Sequence, residues 1–448
     1  MTLIAKESGA ALHADADPPD SGAPAPPPDE KASSGQIWQL LIALALITGI
    51  FVVAGLGDLL LFIVLLFAIV MLHELGHFAT AKWSGMKVTE YFVGFGPRLW
   101  SIRRGETEYG VKAVPAGGYV RITGFTVLED VAVEDEPRTY RQQPFWKRII
   151  VGSAGSAMHF LIAFVLALIS VFAFGMATDN VKIGALDHWS GVAQTPAQQA
   201  GLQAGDVIVA VNGRALTNAN TVHDVLTRSA GKSVSLGVER DGKVHTVEVT
   251  PLDGRGVKVG GVPLAPASDK HAQGFIGIYE EPATSSVNPL SAFGDAGITL
   301  GQATSLEFSA LVHAFSPSGL SAIYHDVTNA HAADQAASNT GSSERPVSIV
   351  GAGSLGAQAV HDGLPTLLDL LIIINIAFGL LNMLPILPFD GGHVAVAAYE
   401  WIRTKKGEPY YRADITKLFP FIAPFLIVLG LFALSLLFLD IAHPVHLP

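Results

Sequence analysis

No cysteine occurs among the 448 residues, which excludes a disulfide framework and thiolate metal ligation and leaves His and carboxylate side chains as donors for any bound metal. Charge is scarce as well, at 15% of residues, with a net charge of -11 and no long basic run. Phosphate recognition needs clustered Lys and Arg, so a nucleic-acid partner is excluded. Aromatic residues are missing from positions 1–35, which are rich in Ala, Pro, Asp and Ser. Such a segment buries too little apolar surface to offset the entropy of ordering and is expected to be a disordered tail. A cleavable secretory signal is not expected, because the first apolar run begins only near Ile37 and has no short charged region just before it.

Hydrophobic residues, by contrast, make up 50% of the chain, and the mean hydropathy is +0.41, which places it among membrane proteins. A hydrocarbon core about 30 Å thick needs roughly 20 apolar residues at about 1.5 Å each. Runs of this kind begin near Ile37, Leu59 and Val151, lie within Leu364 to Ile402 with an interruption at Pro385 and Pro388, and recur from Phe419 to Leu439. The loop from Lys82 to Arg148 carries 11 Lys and Arg, and that from Arg403 to Lys417 carries five. The positive-inside rule puts both in the cytosol, so parity puts residues 177–363 and the C-terminus outside and the N-terminal tail inside.

Within the second run stands His73-Glu74-Leu75-Gly76-His77. Positions i and i+4 of a helix lie about 40° apart, so both imidazoles face one metal ion. In zinc hydrolases with this pattern the glutamate takes a proton from the metal-activated water and later passes it to the leaving amine. Ionisable groups at mid-membrane are expensive, which favours function over a structural polar pair at the membrane edge. Catalytic zinc takes a third protein ligand. Asp390 is the candidate: Pro385 and Pro388 break the helix before it, and Gly391 and Gly392 allow close backbone approach. The alternative is a cytosolic turn capped by an aspartate.

The pairing of His73-Glu74-Leu75-Gly76-His77 with Asn382-Met383-Leu384-Pro385 and Asp390-Gly391-Gly392, some 300 residues later, resembles the site-2 protease family, in particular bacterial members that cleave membrane-anchored anti-sigma factors. The resemblance extends to Val93-Gly94-Phe95-Gly96-Pro97 and Pro115-Ala116-Gly117-Gly118-Tyr119-Val120. It implies one Zn2+ per chain held by His73, His77 and Asp390, catalysis by Glu74, and help from Asn382 in holding a substrate strand. One departure stands out: where the family commonly has Gly-Pro-x-x-Asn, this chain reads Gly155-Ser156-Ala157-Met158-His159. His159 is then a candidate oxyanion stabiliser, with a structural hydrogen bond between spans as the alternative.

Between the second and third runs, Val88 to Trp100, Tyr109 to Val114 and Tyr119 to Ile122 read as short strands. An exposed edge around Gly94, Phe95 and Gly96 would pair with an unwound substrate. Pro196 to Gly213, with its Gly201-Leu202 turn and an alternating strand ending in Asn212-Gly213, resembles bacterial protease PDZ domains.

These readings describe a polytopic α-helical membrane protein of about five spans, four of them a core, with a cytosolic-side β-hairpin or sheet and an extracytoplasmic PDZ domain. The expected division is a tail at 1–35, an additional span at 36–57, a first membrane part at 58–180, the PDZ domain at 181–285, an extracytoplasmic linker with an amphipathic segment at 286–363, and a second membrane part at 364–448. The implied function is zinc-dependent cleavage of single-span membrane proteins such as anti-sigma factors in the bacterial cytoplasmic membrane, after a first cut outside by an upstream site-1 protease. The competing function is a membrane-bound PDZ scaffold with a non-catalytic metal site, against which Glu74 argues.

Overall fold

A backbone crossing lipid must satisfy its own hydrogen bonds, so the long apolar runs become helices. In the computed structural model the described residues are 34–125, 129, 131–189, 192–218, 220–259, 262–265, 272–285, 287–329, 346–405 and 411–444. The expected tail lies outside them up to residue 33. In chain order the helices are α1 (Ser34–Val53), α2 (Gly57–Trp83), α3 (Phe145–Phe174), α4 (Pro196–Gln199), α5 (Asn220–Arg228), α6 (Pro289–Ala314), α7 (Pro317–Thr328), α8 (Ile349–Asp362), α9 (Leu364–Asn382), α10 (Asp390–Arg403) and α11 (Phe419–Ala442). Four stretches among the described residues are long and apolar enough to cross a membrane, namely α2, α3, α9 and Ile415–Ala442. They coincide with the four core runs of the sequence. The expected additional span falls on α1.

The described residues form two compact units, the first within Met1–His159, Val347–Ala357 and Phe378–Pro444, the second within Phe160–Pro346 and Gln358–Ala377. In the first, β1 (Val88–Arg104) and β2 (Thr107–Ile122) pair antiparallel. Three short strands were the expectation; instead, two long strands each fold back. Tyr91 pairs with both Tyr109 and Val120, and Tyr109 pairs with both Tyr91 and Ile102. The lateral order is therefore 98–104, 107–112, 88–93, 118–122, with the first and last segments at the edges. Gly94, Gly96 and Gly117 stand at the corners with φ of 82°, 80° and 133°, backbone that side-chain-bearing residues rarely adopt. Ala81, Met86, Val88, Ile122, Tyr140 and Val151 form a core that joins the end of α2, the sheet and the start of α3.

In the second unit, β3 (Met176–Leu186), β4 (Val207–Val211), β5 (Arg214–Ala215), β6 (Val234–Arg240), β7 (Lys243–Val249) and a strand at Ile278–Ser285 form a six-stranded sheet. Its order is Ile278–Ser285, β3, β4, β6, β7, with β5 on β4. The expected Asn212-Gly213 turn is present, with φ of 50° and 74°, and closes the hairpin between β4 and β5. Alternate residues such as Ile183, Ile208, Leu236 and Val238 supply the core, on which Val222 and Leu226 of α5 pack. The sheet begins at Met176, five residues before the expected boundary at 181. Much of the described linker is helical, as α6, α7 and α8.

The end of α2 is braced by an ion cluster. Glu106, in the turn between β1 and β2, accepts from Arg138 Nη1 at 2.7 Å and Nη2 at 3.0 Å and from Lys82 Nζ at 2.6 Å. Arg138, with Lys82, holds the Glu106 carboxyl well below its ordinary value of 4.5, at about 2. A depressed carboxylate stabilises the fold above its ordinary value, and that contribution fades as pH falls toward the folded value. Thermal unfolding of Glu106→Gln against the parent should therefore show a constant deficit above about pH 5 that closes between about pH 4.5 and 2. A deficit that persists unchanged to the acid end would contradict this account.

Candidate metal centre

His73 and His77 occupy successive turns of α2 and are buried. Asp390 is the first residue of α10. The chain reaches it through a non-helical stretch after Asn382, where Pro385 and Pro388 interrupt the backbone ladder as expected. A Cβ on Gly391 would lie 2.6 Å from Leu384 O, and one on Gly392 would lie 2.5 Å from Leu387 N. Only residues without side chains let the start of α10 fold this tightly onto the broken segment.

The three residues converge. Asp390 Oδ2 lies 3.2 Å from His77 Nε2 and 3.5 Å from His73 Nε2. Ligands at about 2.0–2.2 Å from a tetrahedral zinc ion stand about 3.3–3.6 Å from one another, so the separations suit a shared cation. His77 Nδ1 lies 2.7 Å from Val151 O; donating there leaves the Nε2 lone pair for a metal, the usual outer support of a ligating histidine. Among the described residues, His73, His77 and Asp390 are the group of His, Asp and Glu whose ligand atoms lie within 4.8 Å of one another. The donor set, two imidazoles and one carboxylate, fits zinc with a position left for water.

Glu74 is half-buried beside them, within electrostatic range of His77 and Asp390. The sheet packs on the same turn of α2: Tyr91 Oη donates to Met71 O at 2.8 Å, and a Cβ on Gly118 would stand 2.6 Å from Met71 Sδ and 3.6 Å from Glu74 Cγ. The edge segment 118–122 therefore borders Glu74. Phe92 and Phe95 stack on Tyr119 at 5.9 and 5.7 Å, and Tyr119 bonds Glu90. Burial, together with that bond, pushes the Tyr119 phenol above its ordinary value.

His159 is buried, with its ring 4.8 Å from that of His73 and 5.7 Å from Phe378. Asn382 ends α9 half-buried. Gly94, Phe95 and Gly96 lie at the sheet corner, with Phe95 exposed.

With this geometry in place, the comparisons with known proteins settle the family. The sequence profile described as Peptidase family M50 matches residues 61–425. The chain belongs to peptidase family M50. This is the site-2 protease family of the motif resemblance, and the M50 chain is a metalloendopeptidase and a membrane protein. Its relatives include zinc metalloprotease Rip1 of Mycolicibacterium smegmatis, 33% identical over 78% of this chain and 87% of that one. Rip1 of Mycobacterium tuberculosis strain H37Rv is 33% identical over 75% and 83%. A putative zinc metalloprotease of Brucella suis is 29% identical over 79% and 87%. A solved PDZ domain of an SdrC-like protein from Listeria innocua matches 24% of the M50 chain and all of its own, at 19% identity and a TM-score of 0.17, which is too low to argue from.

Several residues shape the centre without offering a ligand or a reacting group. Gly76 of α2 meets α3, where a Cβ would lie 2.7 Å from Ala154 O. A Cβ on Gly155 would lie 2.6 Å from His73 Nε2 and closer to His77 Nε2. Val151 contributes only a carbonyl, which any residue could supply. His393, one turn into α10, packs its ring 4.1 Å from Phe125. The available signal is the run Gly152-Ser153-Ala154-Gly155-Ser156-Ala157, whose small residues mark a close helix contact. Gly155→Ala should displace an imidazole and weaken metal binding by about 10- to 100-fold, the range for lost support of a metal ligand. Chelator competition reads this directly, and parental affinity in the variant would refute the packing argument.

Proposed function

We propose that the chain is a zinc-dependent intramembrane endopeptidase that cleaves single-span membrane proteins in a bacterial cytoplasmic membrane. Anti-sigma factors or similar regulators, already cut outside by a site-1 protease, are the proposed substrates. The observation that carries this reading is the convergence of His73, His77 and Asp390, the last 313 residues from His77, beside Glu74 in a helix long and apolar enough to span lipid.

One zinc ion at these three residues would polarise the scissile carbonyl and lower the pKa of a water to about 7. Glu74 takes the proton from that water as its oxygen attacks the carbonyl carbon, and delivers it to the nitrogen as the C–N bond breaks. His159, next to His73, is proposed to donate a hydrogen bond to the developing oxyanion. In a cleavage assay on a single-span substrate, Glu74→Gln should retain metal and lose about 10²- to 10⁴-fold in kcat. His159→Ala should lower kcat by about 10²- to 10³-fold with little change in KM. Metal retained with undiminished cleavage in Glu74→Gln would refute the protease chemistry, and unaltered kcat in His159→Ala would remove that residue from it.

A substrate helix must unwind before its peptide bond is accessible, because its carbonyls are engaged in its own ladder. The edge segment 118–122 beside Glu74 supports strand addition as the means of holding the unwound chain, with Gly94, Phe95 and Gly96 at its corner and Asn382 steadying the strand. Residues 181–285 are proposed to act as a PDZ domain that screens substrates outside. A photo-crosslinker at Phe95 should capture substrate, and deletion of 181–285 should change which substrates are cut. No capture would argue against strand addition, and an unchanged substrate range would argue against screening.

A further inference from the structure

The carboxylate of the metal centre sits at one end of α10. Glu400 lies near the other end, about 15 Å along the axis at about 1.5 Å per residue. Its side chain is 5% exposed and meets Arg148 Nη1, 4% exposed, at 2.5 Å. Glu400 also accepts from Ala413 N at 2.7 Å and lies 3.6 Å from Arg412 Nη1. Arg148 stands in the first turn of α3 with its guanidinium 5.1 Å over the Tyr140 ring, and Tyr140 Oη donates to Arg148 O at 3.2 Å.

Positions 148, 151, 152 and 155 share one face of α3 by helical spacing. Each reaches a different part of the centre. Arg148 holds α10 through Glu400, and Val151 O receives His77 Nδ1. Gly152 admits Val394 of α10, where a Cβ would stand 3.1 Å from Val394 Cγ2, and Gly155 admits both imidazoles. The glycine contacts fix how near α10 approaches. A buried, hydrogen-bonded ion pair is more directional along the axis than these van der Waals contacts. A slip of one residue moves every side chain by about 1.5 Å along the helix and about 100° around it.

We propose that the Arg148–Glu400 pair is a positioning pair that locks the axial register of α10 on α3 and thereby holds the Asp390 carboxylate at His73 and His77. A buried ion pair gains little net stability, since desolvation offsets the attraction, and setting register is its best-attested use. Neither residue touches the reacting atoms. The inference rests on the reading of His73, His77 and Asp390 as a zinc site.

The test uses the full chain in detergent, with zinc affinity from chelator competition and thermal unfolding of the metal-free protein. Replacing both partners, Arg148→Met with Glu400→Leu, removes the directional lock while keeping volume and apolar packing, a change that is often neutral for stability. It should leave metal-free unfolding near that of the parent and weaken zinc binding by about 10- to 100-fold. A purely structural pair would leave zinc affinity unchanged in this variant, and that result overturns the proposal. Glu400→Gln gives an independent measurement should the double variant fold poorly. It should also lose zinc affinity, whereas Arg148→Lys, which keeps the charge at Glu400 but not the guanidinium stacked on Tyr140, should lose less; parental affinity in Glu400→Gln overturns the proposal too. Failure of the zinc-site reading is distinguishable, because Asp390→Asn would then bind zinc as the parent does.

Discussion

The candidate metal centre depends on a single close approach, that of a carboxylate at the head of one helix to two imidazoles on successive turns of another. Asp390 Oδ2 stands 3.2 and 3.5 Å from the two Nε2 atoms, and nothing local to either segment brings it there. Polar groups in an apolar surround are costly unless they satisfy one another. The third helix, α3, makes the approach possible by presenting glycine where the others need room, at Gly152 toward α10 and at Gly155 toward the imidazoles. It also supplies the Val151 carbonyl that orients His77.

The same economy of side chains governs the broken segment and the sheet. Gly391 and Gly392 let α10 begin directly against the backbone of residues 383–387, so a carboxylate emerges at a helix N-terminus, where the backbone dipole favours negative charge. Gly118 brings the sheet edge against Met71 and Glu74. A bulkier residue there would push the edge away from the turn of α2 that carries Glu74. Scaffold and reactive groups are thus linked through contacts in which a missing Cβ is the decisive feature.

Much of the centre was legible in the chain itself. The spacing of His73, Glu74 and His77 places them on one helical face, and the Pro385 and Pro388 interruption marked where regular helix would stop before Asp390. The Asn212-Gly213 turn and the four core runs were also readable. The sheet was less so: three short strands were expected because Gly94, Gly96, Pro97, Gly117 and Gly118 punctuate the region, yet β1 and β2 run through these positions as bent strands, with the glycines taking φ of 82°, 80° and 133° at 94, 96 and 117. Arg148 and Glu400 gave no signal, because a basic residue near a span end is ordinary and its acidic partner lies 252 residues away.

The order of residues by itself determined the chemistry on offer: helical periodicity and hydropathy are local properties, and they suffice to place two imidazoles and a carboxylate in a helix suited to lipid. Only the tertiary structure decided that Asp390 meets the two imidazoles, that His159 stands beside His73 and that the sheet edge borders Glu74. Those outcomes rest on helix register and on the absence of side chains at contact points between distant segments, neither of which is encoded in the spacing of His73, Glu74 and His77.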